Sequence, residues 1–302
     1  MKKETIVKKI KELKQEKNAI ILAHNYQIMP IQNIADFVGD SLQLARQAAK
    51  VNTDMIVFCG VQFMAETAKL LKPKAKVLLS AKNAGCPMAD MITGEQLKNW
   101  KSDYKNPYVV CYVNSSVQVK AESDICCTSG NAVKVVKHVP ENKTILFVPD
   151  QNLGTYVAQQ TSKKVIVWKG FCNVHHIKIT LHDVKKAKEK YPDYTLTAHP
   201  ECSPEVFQQA DVVASTKGME DYVKNHDNVI IGTEIGLYHK LKNRFPEKKL
   251  VPLSEKSVCV NMKKTTLTDL YETLKNEKNE ITIDEDIAER AVKSINKMLE
   301  IT

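Results

Sequence analysis

The chain carries one pattern three times: VLLSAKNAGC (77–86), VIVWKGFC (165–172) and LVPLSEKSVC (250–259). Each segment predicts a buried strand, a short loop and a cysteine, and the cysteines Cys86, Cys172 and Cys259 stand 86 and 87 residues apart. A fixed period of this length indicates one supersecondary unit copied along the chain. We therefore expect three similar units, whose equivalent thiols could converge on one point as a metal site.

Two further sets of landmarks recur at intervals of 88 and 87 residues. Three apolar runs, IILAHNY, YVVCYVN and TLTAHPE, contain His24, Tyr112 and His199. Three polar turns, GDSL, CTSGNA and ASTKG, contain Ser41, Ser129 and Thr216. Strand ends, hydroxyls and thiols keep one order in all three copies, so the repeat consists of whole folding units.

The alternation of elements in each copy predicts the fold class. Short apolar runs rich in Val and Ile alternate with helical patterns, which is typical of parallel sheets with helical crossovers. In the first copy we predict strands over 19–24, 55–59 and 76–80 and helices over 35–49 and 61–71. The expected fold is α/β, with three similar domains that contain short parallel sheets. The domains surround a pseudo-threefold axis, with the active site at the centre.

The repeat also predicts the domain boundaries. We expect a first domain over 1–104 with an N-terminal helix, a second over 105–190, and a third over 191–302 with a C-terminal helix. The amphipathic segment 284–300 lies outside the repeat, and packing on the first copy would close the ring.

Composition and charge indicate the location of the protein and the partners that it is not expected to bind. The 302 residues are 43% hydrophobic, and no apolar run approaches the length of a membrane span. The charged N-terminus has no signal-peptide pattern, so we expect a cytoplasmic protein without a membrane partner. The net charge of +9 comes almost entirely from lysines scattered over predicted helices, with arginines only at Arg46, Arg244 and Arg290. Nucleic-acid surfaces favour clustered Lys and Arg, so nucleic-acid binding is not expected.

The three periodic cysteines favour an iron–sulfur cluster over zinc. Structural zinc sites use four protein ligands, often in CxxC pairs, whereas these cysteines come singly from three loops. A [4Fe–4S] cluster held by three cysteines leaves one iron open as a Lewis acid. The five other cysteines do not follow the period, and we expect them to be buried strand or loop thiols.

The remaining landmarks indicate an anion site, although each has a purely structural alternative. Ser41, Ser129 and Thr216 lie where helices begin, so they could simply cap those helices or could bind carboxylates and phosphate there. His24 and His199 could be core histidines, but both end strands on the ligand side of the sheet. Glu201 has no lysine or arginine nearby in sequence, and it is our candidate proton shuttle.

The motifs ILAHNYQ, VGDSLQLAR, AGCPMAD, SDICCTSGNA, FCNVH and HPEC, in this order, resemble the motif series of the quinolinate synthase family. The resemblance covers about residues 19–270 and is specific in order and spacing. It implies three α/β domains and one three-cysteine [4Fe–4S] cluster per chain. It also implies an NAD-biosynthesis enzyme that condenses iminoaspartate with dihydroxyacetone phosphate to quinolinate, phosphate and water. An aspartate-oxidising enzyme would supply the iminoaspartate.

The resemblance also implies a role for individual residues. The implied cluster ligands are Cys86, Cys172 and Cys259. The implied substrate-binding residues are His24, Ser41, Tyr112, Asn114, Ser129, His199, Glu201 and Thr216. The implied catalytic residues are Glu201, Tyr26 and Tyr112. The motif CVNM has no second cysteine beside Cys259, where many family members have more, so a thiol switch is not expected there.

Two alternatives stay open at the level of sequence. One is another three-cysteine [4Fe–4S] enzyme, of the diphthamide-forming or isoprenoid-diphosphate reductase type, but these lack the HNY, YVN and HPE strand ends. The other is a non-enzymatic iron–sulfur sensor, which would not need three hydroxyl-bearing helix starts and two histidines facing the cluster.

Overall fold

Residues 2–301 of the computed structural model form three four-stranded, all-parallel sheets that alternate with helices. The first unit has strands β1 Ala19–His24, β2 Phe37–Gly39, β3 Met55–Cys59 and β4 Lys76–Leu79. Its helices are α1 Lys3–Glu16, α2 Met29–Gln32, α3 Ser41–Lys50, α4 Gln62–Leu71 and α5 Gly94–Ser102. The predicted α/β fold with three similar units is confirmed.

The second and third units repeat this plan. The second has strands β5 Pro107–Tyr112, β6 Ile125–Cys127, β7 Thr144–Val148 and β8 Val165–Val167, with helices α6 Val117–Ala121, α7 Ala132–His138, α8 Gln151–Gln160 and α9 Leu181–Lys190. The third has strands β9 Thr195–Ala198, β10 Val212–Val213, β11 Asn228–Gly232 and β12 Lys249–Pro252, with helices α10 Pro204–Phe207, α11 Thr216–Asn225 and α12 Ile235–Arg244. Helices α13 Leu267–Asn276 and α14 Glu285–Glu300 follow.

The three sheets share one strand order, β2-β1-β3-β4, β6-β5-β7-β8 and β10-β9-β11-β12. Strand β3 buries all five residues of MIVFC, as expected for a parallel strand covered on both faces. In such sheets a crevice opens at the carboxyl ends of the strands, where the strand order reverses. His24, Tyr112 and His199 lie at or directly after the ends of β1, β5 and β9, beside that crevice.

The predicted helix 35–49 is wrong in its first six residues. Residues 37–39 form strand β2, which pairs with β1, and the helix begins only at Ser41. Asp40 caps this helix because its side chain accepts the Gln43 N–H, and the Gln43 side chain accepts the Asp40 N–H in return. Edge strands of two or three residues, as here and in β6 and β10, are too short for an alternation pattern to reveal.

One repeated hydrogen bond fixes each cysteine-bearing loop to its own unit. In each unit the first residue of a helix donates its N–H to the carbonyl two residues before the cysteine. The pairs are Gln62 to Ala84 at 2.8 Å, Gln151 to Gly170 at 2.8 Å and Ile235 to Ser257 at 2.9 Å. The sequence repeat is therefore also a repeat of backbone geometry around the thiols.

The two last helices do not stay with the third unit. Helix α13 packs on α1 and β3 of the first unit, whereas α14 packs mainly on α6 and β6 of the second. Our expectation that 284–300 would pack on the first copy is therefore wrong for its main contact. Within the described residues, no helix is long and apolar enough to cross a membrane.

Candidate functional site

A cavity of about 250 Å³ lies where the strand ends of the three units meet. Its lining includes all twelve residues singled out from the sequence: His24, Tyr26, Ser41, Cys86, Tyr112, Asn114, Ser129, Cys172, His199, Glu201, Thr216 and Cys259. These residues are separated by up to 235 positions in the chain, and the three-unit fold brings them to one place.

The three cysteines sit in equivalent surroundings. Each is half-buried and is followed by a turn in which at least one backbone N–H group is directed at its sulfur. The Cys172 sulfur also lies 3.3 Å from His175 Nδ1. Burial raises the pKa of Cys86 to about 12, and it also raises the pKa values of the Cys172 and Cys259 thiols. The free thiols therefore hold their protons at neutral pH, and metal binding would release them. N–H groups directed at sulfur are a feature of iron–sulfur ligation.

The three periodic thiols do not all lie within 4.8 Å of one another. Among the described residues, the one group whose ligand atoms do is Cys172, His175 and Glu201, and this group could itself hold a metal ion. Cys86 and Cys259 fall outside this group. A single zinc ion, with Zn–S bonds of about 2.3 Å, would need its sulfurs closer together. A cluster can span sulfurs that are farther apart, so the donor set fits it.

Glu201 is buried and accepts hydrogen bonds on both oxygens. Tyr112 Oη donates to its Oε1 at 2.5 Å, and His175 Nδ1 lies 2.6 Å from its Oε2. Burial alone would raise the pKa of Glu201, but these donors outweigh it and hold the pKa below its usual range. Glu201 has no lysine or arginine nearby in sequence, and its partner is instead an imidazole 26 positions away, that of His175.

A hydrogen-bonded chain links Glu201 to Tyr26. His175 Nε2 and Thr233 Oγ1 are hydrogen-bonded at 2.8 Å. Thr233 Oγ1 in turn lies 2.7 Å from Tyr26 Oη. Burial raises the pKa values of Tyr26 and Tyr112 well above the usual value, so both phenols keep their protons at neutral pH. All three residues implied as catalytic therefore belong to one connected network.

The two strand-end histidines are neutral and have a defined tautomer. Burial lowers the pKa of His24 and of His199 to about 3. The Nδ1 of His24 accepts the Tyr26 N–H at 3.2 Å, and the Nδ1 of His199 accepts the Glu201 N–H at 3.3 Å. Each neutral ring must therefore carry its hydrogen on Nε2.

The histidine tautomer fixes the direction of the Ser129 hydroxyl. His199 Nε2 lies 3.1 Å from Ser129 Oγ, and because this nitrogen carries the hydrogen it donates to Ser129. Thr216 Oγ1 likewise accepts a bond from Asn25 Nδ2 at 3.0 Å. Each hydroxyl then has its own hydrogen left to donate elsewhere, and both residues line the cavity. The arrangement favours ligands that accept hydrogen bonds.

Helix capping does not account for Ser41 and Thr216. The caps are their neighbours: Asp40 accepts from Gln43 N at 2.9 Å, and Ser215 accepts from Gly218 N at 3.2 Å. Asn114 offers a hydrogen-bond acceptor instead of a donor, because its Oδ1 is buried and has no hydrogen-bond partner within residues 2–301. The cavity thus combines donors for anions with one free acceptor.

Two residues of the network around Glu201, His175 and Thr233, were not identified from the sequence. His175 appears in the motif FCNVH, and its position one turn after Cys172 was the only available signal. It lies in a π-helical turn, Asn173–Ile177, which has no reliable sequence pattern. Thr233 directly follows β11 on the ligand side, where any polar residue is a candidate.

Comparison with protein families matches residues 8–300 to the family described as Quinolinate synthetase A protein. The quinolinate synthase of Alkaliphilus metalliredigens (strain QYMF) is 52% identical over 304 residues, covering 100% of both chains. That of Dehalococcoides mccartyi (strain CBDB1) is 51% identical over 303 residues, again covering 100% of both. That of Methanoregula boonei (strain DSM 21154 / JCM 14090 / 6A8) is 52% identical over 292 residues, covering 96% of both.

Among solved structures, the E-1-hydroxy-2-methyl-but-2-enyl-4-diphosphate reductase from Plasmodium falciparum aligns with 82% of this chain and 86% of its own. Its TM-score is 0.31 and its sequence identity is 13%, which is too low to support any conclusion. The family match, in contrast, spans nearly all of the sequence and includes the three thiols and the cavity residues. This chain belongs to the Quinolinate synthetase A protein family.

Proposed function

We propose that this enzyme condenses iminoaspartate with dihydroxyacetone phosphate to give quinolinate, phosphate and water, as a step of NAD biosynthesis. The observation that carries the proposal is the shared cavity. Three thiols, a set of hydrogen-bond donors and a carboxylate within a proton-transfer chain all line it or lie directly beside it. These are the groups that a condensation of anionic substrates followed by dehydration requires.

Cys86, Cys172 and Cys259 would hold one [4Fe–4S] cluster. With three protein ligands the cluster offers an open iron, which supplies Lewis-acid polarisation of a substrate oxygen or nitrogen. The backbone N–H groups that point at the three sulfurs would stabilise them in the thiolate form.

The donors of the cavity would bind the carboxylates and the phosphate. Ser129 and Thr216 present hydroxyl hydrogens, and His24 carries its ring hydrogen on Nε2. Ser41 and Tyr112 complete the substrate-binding set, and the free acceptor of Asn114 suits an imine N–H.

The network around Glu201 would move protons during ring closure and dehydration. Glu201 is ionised and so can accept a proton, while Tyr112 and Tyr26 hold protons that they can donate. The chain from Glu201 through His175 and Thr233 to Tyr26 lets a proton leave one end of the network as another enters. Water is largely excluded, since Glu201 is only 3% exposed.

We propose domains over 1–104, 105–190 and 191–302, a cytoplasmic location, and small-molecule partners rather than nucleic acid or membrane. Iminoaspartate would come from an enzyme that oxidises aspartate, because the imine must be made by removing two electrons from the amine.

The test is a product assay on anaerobically reconstituted protein. Incubation with iminoaspartate and dihydroxyacetone phosphate should release quinolinate and phosphate in equal amounts. Cys86→Ser should abolish both products, whereas Cys202→Ser should not, since Cys202 is buried beside the Gly232 carbonyl at 3.8 Å, which could accept a serine hydroxyl. Cluster-loaded wild-type protein that releases no quinolinate would refute the proposal.

A further inference from the structure

We propose that Lys240 and Asn25 are positioning residues that fix the Thr216 hydroxyl as a hydrogen-bond donor to the bound anion. The inference deepens the proposed function and rests on it. Neither residue lines the cavity. Their effect would be transmitted through two hydrogen bonds.

The chain of bonds begins at a buried ion pair. Lys240, on α12, donates to Glu220 Oε2 at 2.8 Å, and Glu220 also pairs with Arg244 at the surface. The same ammonium group donates to Asn25 Oδ1 at 2.8 Å. The Glu220 side chain is 7% exposed and that of Lys240 is 13% exposed, so both partners are held in a largely dry setting.

The ammonium group decides which way the Asn25 amide faces. A lysine ammonium has only donors, so the amide atom that faces it must be the oxygen. The amide nitrogen then faces Thr216, and Asn25 Nδ2 donates to Thr216 Oγ1 at 3.0 Å. Asn25 is fully buried, and its backbone is also tied by a bond from its N–H to the Gly39 carbonyl at 3.0 Å.

The amide in turn decides what Thr216 offers. Its hydroxyl oxygen accepts from Asn25, so its one hydrogen is free to point to the cavity. If the amide were reversed, Thr216 would donate to Asn25 and show only a lone pair to the substrate. A bound carboxylate or phosphate would then meet a lone pair in place of a donor, and affinity would fall.

Ser129 independently shows the same arrangement, in which a neighbouring donor orients the hydroxyl. There the donor from the neighbouring unit is His199, whose tautomer is set by the Glu201 N–H. In both cases a residue at or directly after a strand end of one unit donates to a hydroxyl of another unit. Thr216 is the first residue of α11, whereas Ser129 lies in the turn before α7. Within residues 2–301 the third hydroxyl, that of Ser41, shows no such donor. A donor from another unit is therefore present at two of the three hydroxyls.

The test is a double-mutant cycle on the cluster-loaded protein, with the Kd of pyridine-2,3-dicarboxylate as the readout. Thr216→Val should weaken binding by about tenfold to a hundredfold, the value of a hydrogen bond to a charged group. Lys240→Met should weaken it by about three- to tenfold. In the Thr216→Val background, Lys240→Met should have no further effect beyond about twofold, because the hydroxyl that it orients is gone.

Asn25→Asp provides a second variant in case Lys240→Met folds poorly. An aspartate would keep the contact with Lys240 but would accept from Thr216, so the loss of affinity should equal or exceed that of Thr216→Val. Lys242→Met is the matched control: it removes the same charge from the same helix, and its ammonium group donates instead to the carbonyls of Pro246 and Lys248. It should bind as wild type does.

The outcomes separate this inference from the proposed function. If Lys240→Met and Asn25→Asp bind normally, or if the losses from Lys240→Met and Thr216→Val simply multiply, the positioning role is wrong and only general electrostatic attraction remains. If Thr216→Val itself binds normally, anion binding by Thr216 is wrong, and the inference falls with it. A rise in KM with nearly unchanged kcat and iron content in Lys240→Met would support the role.

Discussion

At the scale of single residues, the chemistry of the cavity follows from the direction of a few hydrogen bonds. The backbone N–H groups of Tyr26 and Glu201 each donate to the Nδ1 of a histidine two residues earlier. That contact places the ring hydrogen on Nε2, and burial keeps the ring neutral. A histidine at a strand end thereby becomes a fixed donor that does not titrate near neutral pH.

The first prediction concerns Glu201. Glu201→Gln should fold, bind pyridine-2,3-dicarboxylate nearly normally and keep its iron, because glutamine preserves the shape of the side chain. It cannot accept a proton at neutral pH, so kcat should fall by about 10²–10⁴-fold, the range for loss of general acid–base catalysis. Glu205→Gln, on the exposed start of α10, is the matched control. Normal turnover in Glu201→Gln would leave proton transfer to the tyrosines.

The second prediction concerns pH. A histidine with the ordinary pKa of about 6.5 would become positive as the pH falls towards 6 and would bind a dianion more tightly there. Since burial lowers the pKa of His24 and His199 to about 3, neither should gain charge in this range. The Kd of the dicarboxylate should therefore change by less than about threefold between pH 6 and pH 8. Tenfold tighter binding at pH 6 that disappears in His24→Asn would contradict this.

At the scale of secondary-structure elements, the start of a helix performs two tasks with two adjacent residues. Asp40 and Ser215 cap α3 and α11, while Ser41 and Thr216, one residue later, line the cavity. The cap satisfies the backbone locally, so the next side chain does not have to. The residue that caps the helix and the residue whose hydroxyl lines the cavity are thus different members of the same turn.

The third prediction separates these two tasks. Ser215→Ala removes the bond that accepts the Gly218 N–H and should cost about 1 kcal/mol of stability, seen as a lower Tm, with dicarboxylate affinity unchanged. Thr216→Val should mainly lower the affinity. The measurement is thermal unfolding and equilibrium binding on the same two preparations. Thr216→Val protein that melts lower yet binds as wild type would show that Thr216 serves only the helix.

Some secondary-structure elements could be predicted from the sequence, and others could not. Long apolar runs such as β1 and β3 and helices such as α4 were predictable to within one or two residues. Strands β2, β6 and β10 were not, because two or three edge residues carry too little periodicity. His175 and Thr233 were missed because their role depends on contacts between units, with Glu201 and Tyr26, and no local pattern encodes such contacts.

At the scale of the whole molecule, one architecture is repeated while its chemistry differs. The position two residues after each strand-end ring is filled by Tyr26 in the first unit, Asn114 in the second and Glu201 in the third. A single backbone plan thus presents a phenol, an amide and a carboxylate to one cavity. The N-cap positions of α8 and α12 similarly carry Asp150 and Glu234, whereas the N-cap position of α4 in the first unit carries Val61.

Glu234 illustrates why this asymmetry matters for the cysteine loops. Its Oε1 accepts the Cys259 N–H at 3.0 Å and lies 2.9 Å from the ammonium group of Lys263, which also donates to the Tyr26 carbonyl. The third cysteine loop is thereby tied to its own unit and to the first. The convergence of the three thiols depends on all three units packing together, and truncation of any unit should prevent cluster binding.

The central claim is that one cysteine from each unit holds a single cluster, and its most direct test is the iron and acid-labile sulfide content of anaerobically purified protein. We predict about four of each per chain in wild type and in Cys202→Ser. Cys86→Ser, Cys172→Ser and Cys259→Ser should each lose most of both and all quinolinate formation. A colourless wild-type protein that carries zinc and still makes quinolinate would contradict the claim.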